Sequence, residues 1–377
     1  MDVDRNLLRA FVEESTVTCV PTSHEQVCVL LVGPEGEDRV ALATRDGRAV
    51  VPPIYSQVAT SPSEIRTLRV ARTYAPRRTH HFVDVEGILR GELASDETRT
   101  IEHVGAFGGG YADVRYAAPG DDHEHFLVDS TGRQLGLMGS DVTTCYEVCG
   151  PGGDLVGVHF GNSWELMAIQ RETNQAHRVG PNFSNVAIPI GDAPRPAIVT
   201  LEGERSMRVA TPRGDVSEEA YDRILPFSET GFAIAWRGKR RALIDREGKE
   251  VLPFGKLDVR ATGADCVVFV GDKKSHGIAT LEGEVLVDAS YTDVVLPTSG
   301  RAERFLVGKG KNYRIIDRSG RELLSAKALP AKGTGGVATE TGNWFVQLAD
   351  GSYCFIDGAT LDVVPITFGR DDLLAQL

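Results

Sequence analysis

The chain has 377 residues and a formal net charge of -12, from 41 Lys+Arg against 53 Asp+Glu, with 41% hydrophobic and 25% charged residues. That composition is too apolar for a disordered chain, and the acidic balance excludes wholesale nucleic-acid binding, which takes a basic face. No apolar run approaches the roughly 18 residues that cross a bilayer, and the Met-Asp-Val-Asp start has the wrong charge for a signal peptide, so a cytoplasmic protein without membrane contact is expected.

The 41 Gly and 18 Pro are spread at regular intervals, which predicts many short strands joined by tight turns. From the N-terminus, apolar runs at 17–20 and 27–32 read as strands and lead to a hairpin whose turn ends at Gly47. Turn glycines recur at Gly87, Gly132, Gly214, Gly248, Gly283 and Gly320, with Thr360 in the last copy. Three residues before each stands Asp or Thr: Thr44, Asp84, Asp129, Thr211, Asp245, Thr280, Asp317 and Asp357. A short polar side chain that bonds the backbone, followed at i+3 by a residue tolerating positive φ, is the chemistry of a type I turn closing a β-hairpin. A ninth copy, Trp164-Glu-Leu-Met-Ala-Ile followed by 170–174, lacks both the Asp and the Gly, so its turn is expected to be longer and looser. Apolar stretches upstream of the hairpins, such as 231–238, 266–272 and 304–310, supply a third strand. Short segments such as 221–225 and 291–296 supply a fourth. The period near forty residues holds four strands of about five residues and little else.

At this level of detail the residues resemble a known family. Tyr221-Asp-Arg-Ile-Leu-Pro-Phe-Ser-Glu-Thr-Gly-Phe-Ala-Ile-Ala, followed by 241–253, resembles a WG repeat: a Tyr-Asp start, a Phe-Ser-x-Gly-x-Ala centre and a Trp-Gly-x-Ile-Asp-x-x-Gly-x-x-x-x-Pro hairpin. Val50-Val-Pro-Pro-Ile-Tyr55 matches the hairpin exit and the next start, and Pro253 and Pro365 sit at the same offset. The resemblance runs from about residue 25 to 366. It departs at the signature pair, where only Trp164 keeps the tryptophan and only His276-Gly277 keeps the glycine; the other positions hold Val40, His80, His125, Met207, Arg241, Tyr313 and Tyr353. The family is defined by sequence more than by activity, so the resemblance implies a fold rather than a ligand.

Four-stranded units of this size cannot bury their faces alone and must stack, radially as propeller blades or linearly as a solenoid. The chain opens with the later strands of a unit and closes with an early hairpin at 353–368. Pairing the two, about 13–38 with 350–369, would complete one blade from both ends and leave no open edge. The predicted fold is therefore all-β: one domain over 1–377, a monomeric closed β-propeller of about seven to nine four-stranded blades, with a β-solenoid of stacked hairpins as the alternative. Weak repeats between 60 and 200 are where units are expected to merge.

Few residues carry a chemical signature. Cys19, Cys28, Cys145, Cys149, Cys266 and Cys354 lack disulfide or zinc spacing; Cys145 and Cys149 would lie roughly 13 Å apart on one strand, and all six read as reduced thiols. In Asp121-Asp-His-Glu-His125, His123 and His125 share a strand face, but no third ligand is identifiable and the segment reads as a solvated turn. His80-His81 follows a basic run at 72–78. Arg77 and Arg78, the 239–241 segment and Lys273-Lys274 fall in equivalent turns of different units, either as a basic rim for an acidic partner or as plain solvated charge. Gly108-Gly-Gly110 lacks the context of a phosphate loop and reads as a bend. No catalytic residue, metal or cofactor is assigned.

The signature column places Val40, His80, His125, Trp164, Met207, Arg241, His276, Tyr313 and Tyr353 at one level of the ring. They are either wedges between blades or the lining of one channel mouth. In the second case His80, His125, Trp164, Arg241, His276, Tyr313 and Tyr353 would grip an anionic or aromatic partner group. The leading functional reading is a non-enzymatic protein-interaction module, a rigid ring whose loops bind another protein. Two other classes stand beside it: a hydrolase, lyase or small-molecule binder with its site in the central channel, and an inhibitor or immunity-type partner of a basic toxin or effector.

Overall fold

In the computed structural model the short apolar runs form 34 strands among the described residues, preceded by a helix α1 (Arg5–Glu13) and followed by a helix α2 (Arg370–Leu374). The structure describes residues 5–21, 27–33, 39–44, 48–59, 67–72, 79–84, 88–95, 100–105, 107, 109–117, 123–138, 147–160, 162–188, 195–228, 230–297, 302–310, 312–325, 335–338, 342–348, 352–366 and 370–376. Sequential antiparallel strands make four-stranded sheets over 16–55, 57–94, 223–252, 258–291, 293–324 and 335–366, a three-stranded sheet over 100–129 and a seven-stranded sheet within 136–210. These are the blades of a β-propeller: among the described residues seven separate sheets, and one sheet into which two repeat units run together.

The merging has a local cause. The strand Gln175–Ala187 pairs its first part with Ser163–Gln170, up to Trp164↔Phe183, and its last part with Ala197–Leu201, from Phe183↔Leu201. Elsewhere a single residue breaks the same passage, Ser56 after Ala49–Tyr55 and Thr292 after Val285–Tyr291.

Blade packing explains why the central strands read as unbroken apolar runs. In Cys266–Val270, Cys266 and Val268 pack on Phe305 and Val307 of the following blade, while Val267 and Phe269 pack on Ile234 and Leu243 of the preceding one. Period-2 alternation persists, but both faces are buried, so no polar residue interrupts it. Each such side chain contributes about 1.5–3 kcal/mol on burial.

The predicted turn chemistry is present. Asp245 Oδ1 accepts from the Glu247 and Lys249 amides (3.0 and 2.8 Å), the Gly248 amide donates to Asp245 O (3.0 Å), and Gly248 has φ 79°. Asp129 and Asp317 repeat the pattern with Gly132 and Gly320. Thr44 and Asp84 accept from the Arg48 and Ile88 amides, whereas Gly47 and Gly87 lie outside the described residues. In the last copy the left-handed residue is Leu361 (φ 66°) rather than Thr360, because that turn is longer. Turns also lean on the fourth strand of the preceding unit: a Cβ on Gly214 would lie 2.5 Å from Gly180 N, so glycine serves the close approach as well as the dihedral.

Two expectations are corrected. The turn at 171–174 is longer but not loose. Asn174 takes the left-handed conformation (φ 55°), is buried, and beyond its own turn is held by three hydrogen bonds: from the Tyr111 hydroxyl to Oδ1 (3.0 Å), from Nδ2 to Gln134 O (2.8 Å), and from the Gly136 amide to Asn174 O (3.0 Å). Asparagine replaces glycine here because it tolerates positive φ and its amide finds partners in the preceding blade.

The terminal segments also do not share a blade. The first blade takes all four strands from 16–55 and the last is complete within 335–366, so neither has a vacancy. The two helices fill the joint instead. Leu8, Phe11 and Val12, spaced i, i+3, i+4, give α1 one apolar face. Val12 and Leu373 cover Leu30, Val32, Ala41 and Ala43, on the face of the first blade that elsewhere abuts a preceding blade. The Arg39 guanidinium lies 3.9 Å over the Phe11 ring, Arg370 Nη1 donates to Glu13 O (3.4 Å) and the Ala49 amide donates to Gln376 Oε1 (2.6 Å). Strand Thr16–Pro21 lies against Tyr353–Ile356, which closes the ring.

Candidate interaction site

The signature column stands at the start of the third strand of each unit, facing the residue that ends the fourth strand: Val40↔Tyr55, Trp164↔Phe183, Met207↔Tyr221, His276↔Tyr291 and Tyr353↔Ile366. Across the seams the first strand of one blade lies against strands of the preceding one, as Asp258–Thr262 does against Arg240–Ile244 and as Gly335–Ala338 does against Asp293–Val295. Val40, Trp164, Met207 and Tyr313 each belong to a different interblade cluster. Val40, His80, Trp164 and Tyr313 are buried; His125, Met207, Arg241, His276 and Tyr353 are half-buried. Trp164 stacks on His159 at 5.1 Å between ring centroids. The Tyr313 hydroxyl donates to Asp293 Oδ2 (2.7 Å), and burial, reinforced by that carboxylate, pushes the phenol well above its ordinary range. The column is thus distributed one residue per unit rather than gathered.

Around Arg241 the structure assembles a group that spacing alone does not show. Register places Arg223, Trp236 and Arg241 side by side on three adjacent strands, with the two guanidiniums 5.3 and 5.5 Å from the indole centroid. Arg241 also donates to Val259 O (3.1 Å) and pairs with Asp258 (3.2 Å), both of the next blade. On the opposite face Arg237 lies about 5 Å from the Tyr221 and Phe254 rings and pairs with Glu219 and with Glu250 (3.1 Å). The Gly238 amide donates to Asp222 Oδ2 (2.5 Å). Arg223, Lys239 and Arg240 are exposed and have no carboxylate partner among the described residues. Of the three tryptophans, Trp164 and Trp344 are buried and Trp236 is half-exposed. Arg223 and Trp236 escaped the sequence reading, although a tryptophan inside the cationic run 236–241 was a usable signal.

Lys239 and Lys274 lie in corresponding turns of consecutive blades, Lys309 ends the strand that leads into the same turn of the next, and Lys274 has a left-handed backbone (φ 60°). Arg77, Arg78 and the side chain of Lys273 lie outside the described residues.

The remaining candidates are built differently. The Tyr55 hydroxyl lies 2.9 Å from His81 Nδ1, and His81 Nε2 lies 3.2 Å from Glu92, with Tyr55 and His81 both buried. His125 pairs across the sheet with Arg115; the His123 side chain, Asp121 and Asp122 lie outside the described residues, among which no group of three metal-ligating side chains occurs. Gly109 and Gly110 are left-handed and lead into a strand, not a helix; Gly108 is outside the described residues. Cys266 and Cys354 are free and buried, and burial with Asp265 beside it pushes the Cys266 thiol up to about 12, the opposite of a nucleophile's environment. The other four cysteine side chains lie outside the described residues.

No protein-family model and no curated protein matches the sequence. Among solved structures the chain is similar to a eukaryotic initiation factor, at 12% identity over 95% of this chain and 98% of that chain, with a TM-score of 0.56. Lower scores relate it to an uncharacterized protein from Listeria monocytogenes EGD-e (10% identity, 87% and 96% of the two chains, TM-score 0.41) and to the Dos1 propeller (13%, 78% and 90%, 0.38). At these identities the likeness defines the fold alone, a β-propeller. Among the described residues no helix is long and apolar enough to cross a membrane.

Proposed function

We propose that the chain is a non-enzymatic protein-interaction module, a divergent WG-repeat propeller that docks another protein on the turns linking second and third strands. The observation that carries this reading is the half-exposed Trp236 between Arg223 and Arg241 at a blade seam. Tryptophan and arginine dominate binding hot spots because they combine large contact area with directed hydrogen bonding. The polar signature residues serve the blades instead, with Arg241 common to both roles.

Capture from native lysate with quantitative mass spectrometry tests the proposal. A protein retained by the wild type is expected to be lost with Trp236→Ala and kept with Ile88→Ser, a change at an exposed apolar residue of the second blade. Identical retention by all three proteins overturns the reading.

A further inference from the structure

Resting on that reading, we infer that the Arg223–Trp236 row is a receptor for an acidic peptide segment, whose carboxylate is gripped by Arg223 while an adjacent apolar residue packs on Trp236. The charge balance of the patch is the first support. Arg241 and Arg237 are neutralised by Asp258, Glu219 and Glu250, which leaves Arg223 beside the indole, and Lys239 and Arg240 at the adjoining hairpin turn, without a carboxylate partner among the described residues. The Asp222 carboxylate accepts from the Gly238 amide and has no cationic partner among the described residues. This is a locally cationic surface on a chain of net charge -12.

Geometry is the second support. A guanidinium beside an indole is restrained in position while the N–H groups along its edge stay free for a bidentate carboxylate, so less side-chain freedom is lost on binding. Arg223 is cross-strand neighbour to Trp236 and reaches no other group among the described residues, so its donors are available. The half-exposed Trp236 belongs to the apolar seam formed with Leu243, Val259 and Phe269, and extends that seam to the surface. Charge and apolar area therefore meet at one point, the pattern that a peptide with acidic residues around a hydrophobic one complements. A long polyanion fits less well, because a chain of net charge -12 repels it as a whole.

The test uses the full chain and a fluorescein-labelled peptide, Glu-Glu-Phe-Glu-Glu, with a Gln-for-Glu peptide and a 15-nucleotide single-stranded DNA as comparisons. The acidic peptide is expected to bind, to quench or shift Trp236 emission, and to weaken by about tenfold or more as salt rises from 50 to 300 mM. Arg223→Glu is expected to weaken it by more than tenfold and Arg223→Lys by severalfold, with unchanged melting because Arg223 is exposed. No binding, equal binding by Arg223→Glu, or tighter binding of the DNA overturns the inference. A captured protein that depends on Trp236 but not on Arg223 likewise overturns it while leaving the interaction-module reading in place. The interaction-module reading falls by itself when the peptide binds as described and no protein is captured selectively.

Discussion

The hydroxyl of Tyr111 donates a 3.0 Å hydrogen bond to the side-chain oxygen of Asn174, 63 positions along the chain, and so ties the three-stranded blade to the irregular turn of the next sheet. Both side chains are buried, so breaking the bond leaves a polar group unsatisfied. Tyr111→Phe is expected to cost about 1–2 kcal/mol, and Asn174→Ala more, since it also loses the bond to Gln134 O and the tolerance of positive φ. Thr173→Val, at an exposed position of the same turn, should change little. Urea denaturation of the three variants checks the ranking; a costly Thr173→Val would contradict it.

Gly248 and Gly203 separate two costs. Both have φ near 80°, but a Cβ on Gly248 would lie 3.0 Å from Ser217 Cβ, whereas Gly203 has open space within 4 Å. Gly203→Ala is expected to cost about 1 kcal/mol from the dihedral alone, and Gly248→Ala distinctly more. Equal midpoints in denaturant would show that the seam yields freely.

The helical joint yields a third expectation. Leu373→Ala opens a cavity against Val12 and Leu30 and should cost about 2–4 kcal/mol. Removing residues 370–377 should also speed proteolysis within α1, which loses its Arg370 contact. Unchanged melting of the truncated chain would mean that the blades close without the helices.

Alkaline pH provides a fourth. Burial pushes the Tyr221 phenol up to about 12 from an ordinary value of 10.0, and its hydroxyl donates to Gly248 O at 2.5 Å. A raised folded-state value means that the fold keeps its proton where the unfolded chain has lost it. The contribution of Tyr221 to stability is therefore fully present below pH 10 and is lost as pH rises toward 12. Tyr221→Phe is expected to lower stability at pH 7 while flattening the loss across that window, measured by thermal melts at stepped pH. Parallel curves for the two proteins would refute the assignment.

The hairpins could be read from the sequence because their chemistry is local. Asp245 and Gly248 are three residues apart, and the hydrogen bonds that close their turn involve no other part of the chain. The apolar runs were equally legible, since burial on both faces leaves its mark on every residue of a strand such as Cys266–Val270. A repeat of such units, too small to be stable singly, predicts stacking and hence the propeller class. Tertiary structure decided the rest. How the ring closes depended on whether the first blade had a vacancy, and that required knowing that Ala49–Tyr55 already supplies its fourth strand. The ordering of Asn174 is not legible in its own turn because its side-chain partners are Tyr111 and Gln134, distant in the chain. The Arg223–Trp236–Arg241 row exists only through strand register, since which residues of three successive strands stand side by side is set by the pairing, and a slip of one residue would send each side chain to the opposite face.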